Sequence, residues 1–326
     1  MKITLILHLY KNTKYLEKCI KSVFDQTDKN FELIIFSNGI KQQVKDILTK
    51  FDLNELKAKD IKIIHTNANF GHSVAYNYGA KQANGDFIYY FGSNVILKSN
   101  FTENLNKFID QHKDADIISF STSPKNVDNE GVLELENIAD DFTRGAFNST
   151  NDKIIKKEYL MKNNIHFERF KHYPLQFYMQ LARYSPKWYL YMKQLVEVEP
   201  SVGFTYNVFD LHEQVYGVVE KLLEPNTYEY NHKDEVEYLI LVTLLGRFLK
   251  NLFIIKPNDS TIQKIGIDKV MSVLDLNFPN WVNNKYLHNE SSKRNQDFTS
   301  YLLDFKPYPF YVKRSLKKGY ITDNEK

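Results

Sequence analysis

Apolar and polar positions along the first hundred residues switch repeatedly between two periods. Residues 3–10, ITLILHLY, form a nearly continuous apolar run, as in a strand buried on both faces. Residues 12–27 then place Tyr15, Leu16, Cys19, Ile20 and Val23 at helical spacing behind a cap at Asn12 or Thr13. The alternation continues with FELIIFSNG (31–39) as strand, QQVKDILTKF (42–51) as helix and DIKIIHTNAN (60–69) as strand. A helix through SVAYNYGAKQA (73–83) and a strand in GDFIYYFGSN (85–94) complete it. Strands alternating with helices predict βαβ units: an α/β fold with a mainly parallel sheet and helices on both faces.

After residue 98 the rhythm changes. FTENLNKFIDQHKDADIISFST (101–122) reads as a helix then a strand, and 124–141 is acidic and loop-like. DKIIKKEYLMKNNIHF (152–167) reads as helical at its start, and YPLQFYMQLARYS (173–185) as another helix, with Pro174 in its first turn. From about 205 the chain is mostly helical, with helices predicted in 212–223, 233–253 and 261–276. A length of 326 residues exceeds the roughly 250–300 at which one core stops growing. The expected division is an α/β domain over 1–204 and a helical extension or lobe over 205–326.

Charge and cysteine usage narrow the partners. With 43 basic and 40 acidic residues the chain lacks the strong basic field of a nucleic-acid binder. Cys19 is the only cysteine, which excludes an intramolecular disulfide and a cysteine zinc site and fits a reducing, cytoplasmic compartment. The apolar run 238–255 contains Arg247 and Lys250 and falls short of the ~18 uncharged residues of a membrane span. No transmembrane segment is expected. The segment 306–320, KPYPFYVKRSLKKGY, joins Lys306, Lys313, Arg314, Lys317 and Lys318 to aromatic residues. Such a stretch is either a peripheral contact to anionic lipid at the inner membrane surface or a solvated segment packed by its aromatics.

Several motifs stand in a fixed order: Tyr10 after the first strand, SVFDQT at 22–27, and then Asn69, Gly71, Asn77, Gly79, Gly85 and Asp86 within NANFGHSVAYNYGAKQANGDF. With NDKIIKKEYLMKNNIHF further on, this order resembles the family 2 glycosyltransferases, enzymes of the GT-A fold that transfer a sugar from a nucleotide-activated donor. The resemblance covers about residues 1–190. It implies a nucleotide-sugar donor, most simply a UDP-sugar, and a glycan or lipid acceptor. It also implies carboxylates at 92 and 94 to hold a divalent cation, at 37–38 to meet the nucleoside, and near 173–174 to serve as general base. Gly92, Asn94, Ser37, Asn38, Tyr173 and Pro174 occupy these positions instead. The expectation is therefore a nucleotide-sugar enzyme without the usual metal site, or an inactive relative that binds without turnover.

The residues left to form the cleft are His8, Tyr10, Ser37, Asn38, Asn69, Gly71, His72, Asn77, Ser93 and Asn94. His8 is either a protonated donor to a diphosphate or a half-buried strand-end residue. With His65 and His72 it could in principle ligate a transition metal, yet no carboxylate orients the three and no metal site is assigned. Asn69, Gly71 and Asn77 are turn and helix-start residues or nucleotide contacts. Arg144 is a diphosphate contact or an ion pair with Asp140 or Asp141; Asp210 and His212 supply an acid or base, or Asp210 is a helix N-cap.

Overall fold

β1 (Ile3–Tyr10) and β2 (Phe31–Asn38) lie side by side and parallel at the heart of an eight-stranded sheet. Nearly all their residues are buried, which explains their unbroken apolar sequences. The computed structural model describes residues 2–10, 14–51, 60–122, 132–134, 149–168, 175–199, 218–249, 252 and 259–286. Tyr173, Pro174, Arg144, Asp210, His212 and the segment 306–320 lie outside them.

The remaining strands are β3 (Ile61–Thr66), β4 (Phe87–Gly92), β5 (Val95–Leu97), β6 (Ile117–Ser121), β7 (Val132–Glu134), β8 (Lys153–Lys156), β9 (Trp188–Gln194) and β10 (Val196–Val198). The sheet order is β3-β2-β1-β4-β8-β6-β9-β7, and β5 pairs with β10 in a separate antiparallel ribbon. β1, β2, β3 and β4 are mutually parallel where paired, while β8 runs antiparallel between β4 and β6. Successive strands build outward from β1 to β3, and the chain then returns to place β4 on β1's other side. The strand order therefore reverses between β1 and β4, and open α/β sheets bind ligands outside the strand ends at such a point.

Helices cover both faces. α1 (Leu16–Phe24) and α4 (Phe101–Gln111) bury Leu16, Cys19, Ile20, Val23, Leu105, Phe108 and Ile109 in one core with Leu5, Leu7 and Leu9 of β1. α2 (Lys41–Leu48) adds Val44 and Leu48 to that core. α3 (Gly71–Gln82) packs on β1 and β2 from the other side. Its closest approach is at Gly79, where a Cβ would stand 2.7 Å from Ile6 Cγ2.

Two readings of the sequence are corrected. The start of 152–167 is strand β8, followed by α5 (Lys157–Lys162), because Ile154 and Ile155 are buried between β4 and β6 as a central strand requires. Within the stretch read as loop, Val132–Glu134 forms β7, antiparallel to β9. α6 (Leu175–Arg183) follows the expected helix at 173–185.

The SVFDQT motif is a structural clasp. Gln26 is 2% exposed, and its Nε2 donates to the carbonyls of Ser22 and Lys98, each at 2.8 Å, while its Oε1 accepts from Thr102 N at 3.0 Å. Ser22 Oγ accepts from Leu97 N, and Thr27 N donates to Ser99 O. One glutamine thus ties the end of α1 to the start of α4. Gln26→Ala is expected to lower the unfolding free energy by about 2 kcal/mol, because it leaves buried partners unpaired. Urea denaturation of both proteins measures this; an unchanged midpoint would refute the clasp.

The chain divides into two compact units, one of 1–138 with 147–203 and one of 139–146 with 204–326. In the second, a helix over Lys233–Leu241 continues as a π-helix over Val242–Leu249, and a longer helix spans Ser260–Asn277 with Asp259 capping it through Ile262 N. Among the described residues no helix is long and apolar enough to cross a membrane.

Candidate active site

The register places the ends of four strands together. His8 lies opposite Phe36 on one side and Gly92 on the other; Tyr10 pairs with Asn38, and Asn38 with Thr66. Three of these ends are joined by one polar network. Asn38, fully buried, has its Nδ2 2.9 Å from His8 Nε2 and donates from it to Asn69 Oδ1 at 3.2 Å, and its Oδ1 accepts from Thr66 Oγ1 at 2.7 Å. Asn69 Oδ1 also accepts from Gly71 N at 2.9 Å. Gly71 begins α3 at φ +79°, the left-handed region where a side chain is strained. Asn38 thus has three partners within the protein, on β1, β3 and the turn before α3. Ser37 Oγ is sealed from solvent and, among the described residues, has no hydrogen-bond partner.

Burial holds His8 neutral by pushing its imidazole down to about 3, and neighbouring His72 pushes the same way. Burial thus disfavours the protonated His8 considered from sequence. Both His8 and His72 meet the ring of Tyr76 edge-on, with centroids 5.9 Å and 6.0 Å away. His65 is lowered by burial and by Lys41 and Lys45, and its Nδ1 is buried without a partner. Among the described residues no group of three histidine, cysteine or acidic side chains could hold a metal ion.

Asn77 serves a different contact from the strand-end network. Its Nδ2 donates to Phe167 O at 2.6 Å and its Oδ1 accepts from Phe167 N at 2.9 Å. The segment after α5 is thereby fixed against α3, and the Phe167 ring stacks on Phe177 at 3.8 Å. Ser93 is buried, and Asn94 Nδ2 donates to Glu199 O at 3.1 Å while Asn94 O accepts from Glu199 N at 2.8 Å. Thr66 and Tyr76 belong to the site although sequence reasoning did not select them. Tyr76 follows His72 by four residues on α3, a spacing that puts both on one helix face. Thr66 stands directly after His65 at the end of β3.

A divalent cation does not fit the chemistry at the end of β4. Gly92 has no side-chain ligand atom, and Asn94 offers a neutral carbonyl oxygen whose amide is anchored to Glu199. Space is not the obstacle. A Cβ at Gly92 would meet only Asn94 Oδ1 at 3.4 Å and His8 O at 3.9 Å.

Comparison with known proteins agrees with this architecture. Glycosyltransferase GlyG of Streptococcus pneumoniae is 28% identical over 184 residues, which cover 51% of this chain and 59% of GlyG, so the chain spans about three-fifths of that relative. The crystal structure of S. aureus TarS in complex with UDP-GlcNAc is similar with a TM-score of 0.68 at 19% identity, covering 98% of this chain and 92% of that one. The mannosyltransferase PcManGT of Pyrobaculum calidifontis in complex with GDP-Man and Mn²⁺ is similar with a TM-score of 0.55 at 10% identity, covering 98% and 84%. At those identities the structural likeness concerns the fold, which is GT-A. The model of the family described as Glycosyl transferase family 2 matches residues 4–176, more than half of the sequence, and the chain belongs to that family.

Proposed function

We propose that this chain binds a nucleotide-sugar donor, a UDP-sugar in the simplest case, at the C-terminal ends of β1, β2 and β4 without a divalent cation, and passes the sugar to a glycan or lipid acceptor. The observation that carries the reading is the uncharged network of His8, Asn38, Thr66, Asn69 and Gly71, built across the ends of β1, β2 and β3 beside the β1–β4 point where the strand order reverses. A drifting surface has no need of a buried, fully oriented amide at that place. The ligand class is supported by TarS with UDP-GlcNAc and PcManGT with GDP-Man. The basic and aromatic segment 306–320 suits an acceptor at an anionic membrane surface.

In this mechanism the donor diphosphate is held by backbone amides and neutral side chains, and charge on the leaving diphosphate is offset by oriented dipoles rather than by a cation. A second reading, a binding subunit without turnover, is favoured by Tyr173 and Pro174 at the positions of the general base. Thermal denaturation with UDP, GDP and UDP-sugars tests donor binding. A ligand at 100 times its Kd adds about 2.7 kcal/mol to the native state, so at least one nucleotide is expected to raise the Tm. No rise with any of them refutes the proposal. Release of UDP from a donor that binds then separates turnover from binding alone.

A further inference from the structure

The polar network at the strand ends determines which nitrogen of His8 carries the proton. A backbone amide can only donate, so the atom of Asn69 that stands 2.9 Å from Gly71 N is its oxygen. That oxygen, 3.2 Å from the Asn38 amide, requires Asn38 to face it with Nδ2, which leaves Asn38 Oδ1 facing the hydroxyl of Thr66 at 2.7 Å, a hydroxyl whose single proton is shared with Ala68 O at 2.8 Å. The second hydrogen of Asn38 Nδ2 then meets His8 Nε2 at 2.9 Å, where a lone pair must receive it. His8 is consequently a neutral imidazole with its proton on Nδ1. Among the described residues no hydrogen bond reaches Nδ1, and His8 itself is only partly buried at the end of β1.

His8 alternates with Leu7 and Leu9 along β1 and so lies on the α3 side of the sheet, in register with Gly92 across the β1–β4 switch point. The groups that face it are Asn38 from β2 and Tyr76 and His72 from α3. We propose that the Gly71–Asn69–Asn38 relay fixes His8 as its Nδ1–H tautomer, and that this N–H donates to a phosphate oxygen of the nucleotide diphosphate between the ends of β1 and β4. This rests on the donor-binding reading above. His8 then supplies an oriented, uncharged hydrogen bond beside the position where Gly92 offers no side-chain metal ligand. Burial keeps the imidazole neutral, so the donor does not depend on protonation near neutral pH.

Long-range ¹H–¹⁵N correlation spectra of the full chain labelled with ¹⁵N-histidine test both parts, with His8 assigned by the signals lost in His8→Gln. In the free protein Nδ1 is expected to carry the proton and Nε2 to have the shift of an unprotonated nitrogen. Saturating UDP is expected to move the Nδ1–H signal. Asn38→Asp, whose carboxylate accepts a proton from Nε2, is expected to reverse the tautomer and weaken UDP binding on the order of tenfold. A proton on Nε2 in the free native protein overturns the relay, whatever the variant does. UDP that binds by calorimetry yet leaves Nδ1–H unmoved overturns the phosphate contact while donor binding stands. If calorimetry detects no binding of UDP or GDP, the donor reading and the contact fail together, and the free-protein spectrum still reports on the relay.

Discussion

Replacing Gly92 and Asn94 together by aspartate is expected to make UDP binding respond to Mn²⁺, with affinity on the order of tenfold higher in the metal than in EDTA, about 1.4 kcal/mol. Position 92 can accept the side chain: its backbone is not in the left-handed region, and a Cβ there meets no atom closer than 3.4 Å. The nearest atom is Asn94 Oδ1, so the two new carboxylates would converge on one point. Two carboxylates that close repel each other, and a divalent cation bridging them to the diphosphate relieves the repulsion. Asn94→Asp also gives up the 3.1 Å bond to Glu199 O, which favours turning the new carboxylate toward a cation. The native protein is expected to bind UDP equally in both buffers. A double variant that folds, binds UDP and ignores Mn²⁺ would mean that metal loss at this strand end is not the difference that matters.

Glu32→Ala is expected to lower stability by about 3 kcal/mol, the largest effect on folding of any single change considered. Glu32 is 1% exposed on β2, where its Oε2 accepts from Thr4 Oγ1 and Asn84 N, both at 2.7 Å, and its Oε1 accepts from Asn84 Nδ2 at 2.9 Å. Lys62 approaches Oε1 at 2.9 Å with its own side chain about one-third exposed. Removing one member of a buried pair costs about 3–5 kcal/mol, and the solvent around Lys62 places this case at the lower end. The loop between α3 and β4 depends on the same cluster. Gly85 N donates to Thr4 Oγ1 at 3.0 Å, and a Cβ at Gly85 would stand 2.7 Å from Thr4 N.

The cluster also makes a pH prediction. Burial alone would raise the Glu32 carboxyl, but the bonds from Asn84, Lys62 and Thr4 outweigh it and hold it below the usual carboxylate range. A carboxyl lowered in the folded state stabilises fully above its unfolded value, and that contribution disappears as pH falls through the folded value. The stability gap between the native protein and Glu32→Gln should therefore be widest near neutrality and shrink below about pH 4. Chemical denaturation of both proteins across that range checks it. A gap independent of pH would show that the carboxylate charge contributes nothing.

How much of this could be read from the sequence varies with the physics. β1, β2 and β4 and the helices α1, α2 and α4 were legible because central parallel strands are buried on both faces and those helices are amphipathic, so period and burial coincide. β8 was not, because KIIKKEYL offers apolar residues compatible with either a strand end or a helix start, and its neighbours β4 and β6 decide the outcome. β7 is three residues long and held by β9, a pairing that local patterning cannot contain. At the site, the missing carboxylates at 92 and 94 were visible as letters. The use of Asn38 was not: the sequence shows an amide at a strand end, and only the register with Thr66 and His8 shows which groups of the protein it joins.

The central claim is that this GT-A cleft holds a nucleoside diphosphate without a divalent cation. Calorimetric titration of UDP into the native full chain, once in EDTA and once in Mn²⁺, tests it most directly. The account predicts binding in both buffers with Kd values equal within about a factor of two, roughly 0.4 kcal/mol. Binding that appears in Mn²⁺ and vanishes in EDTA would contradict it.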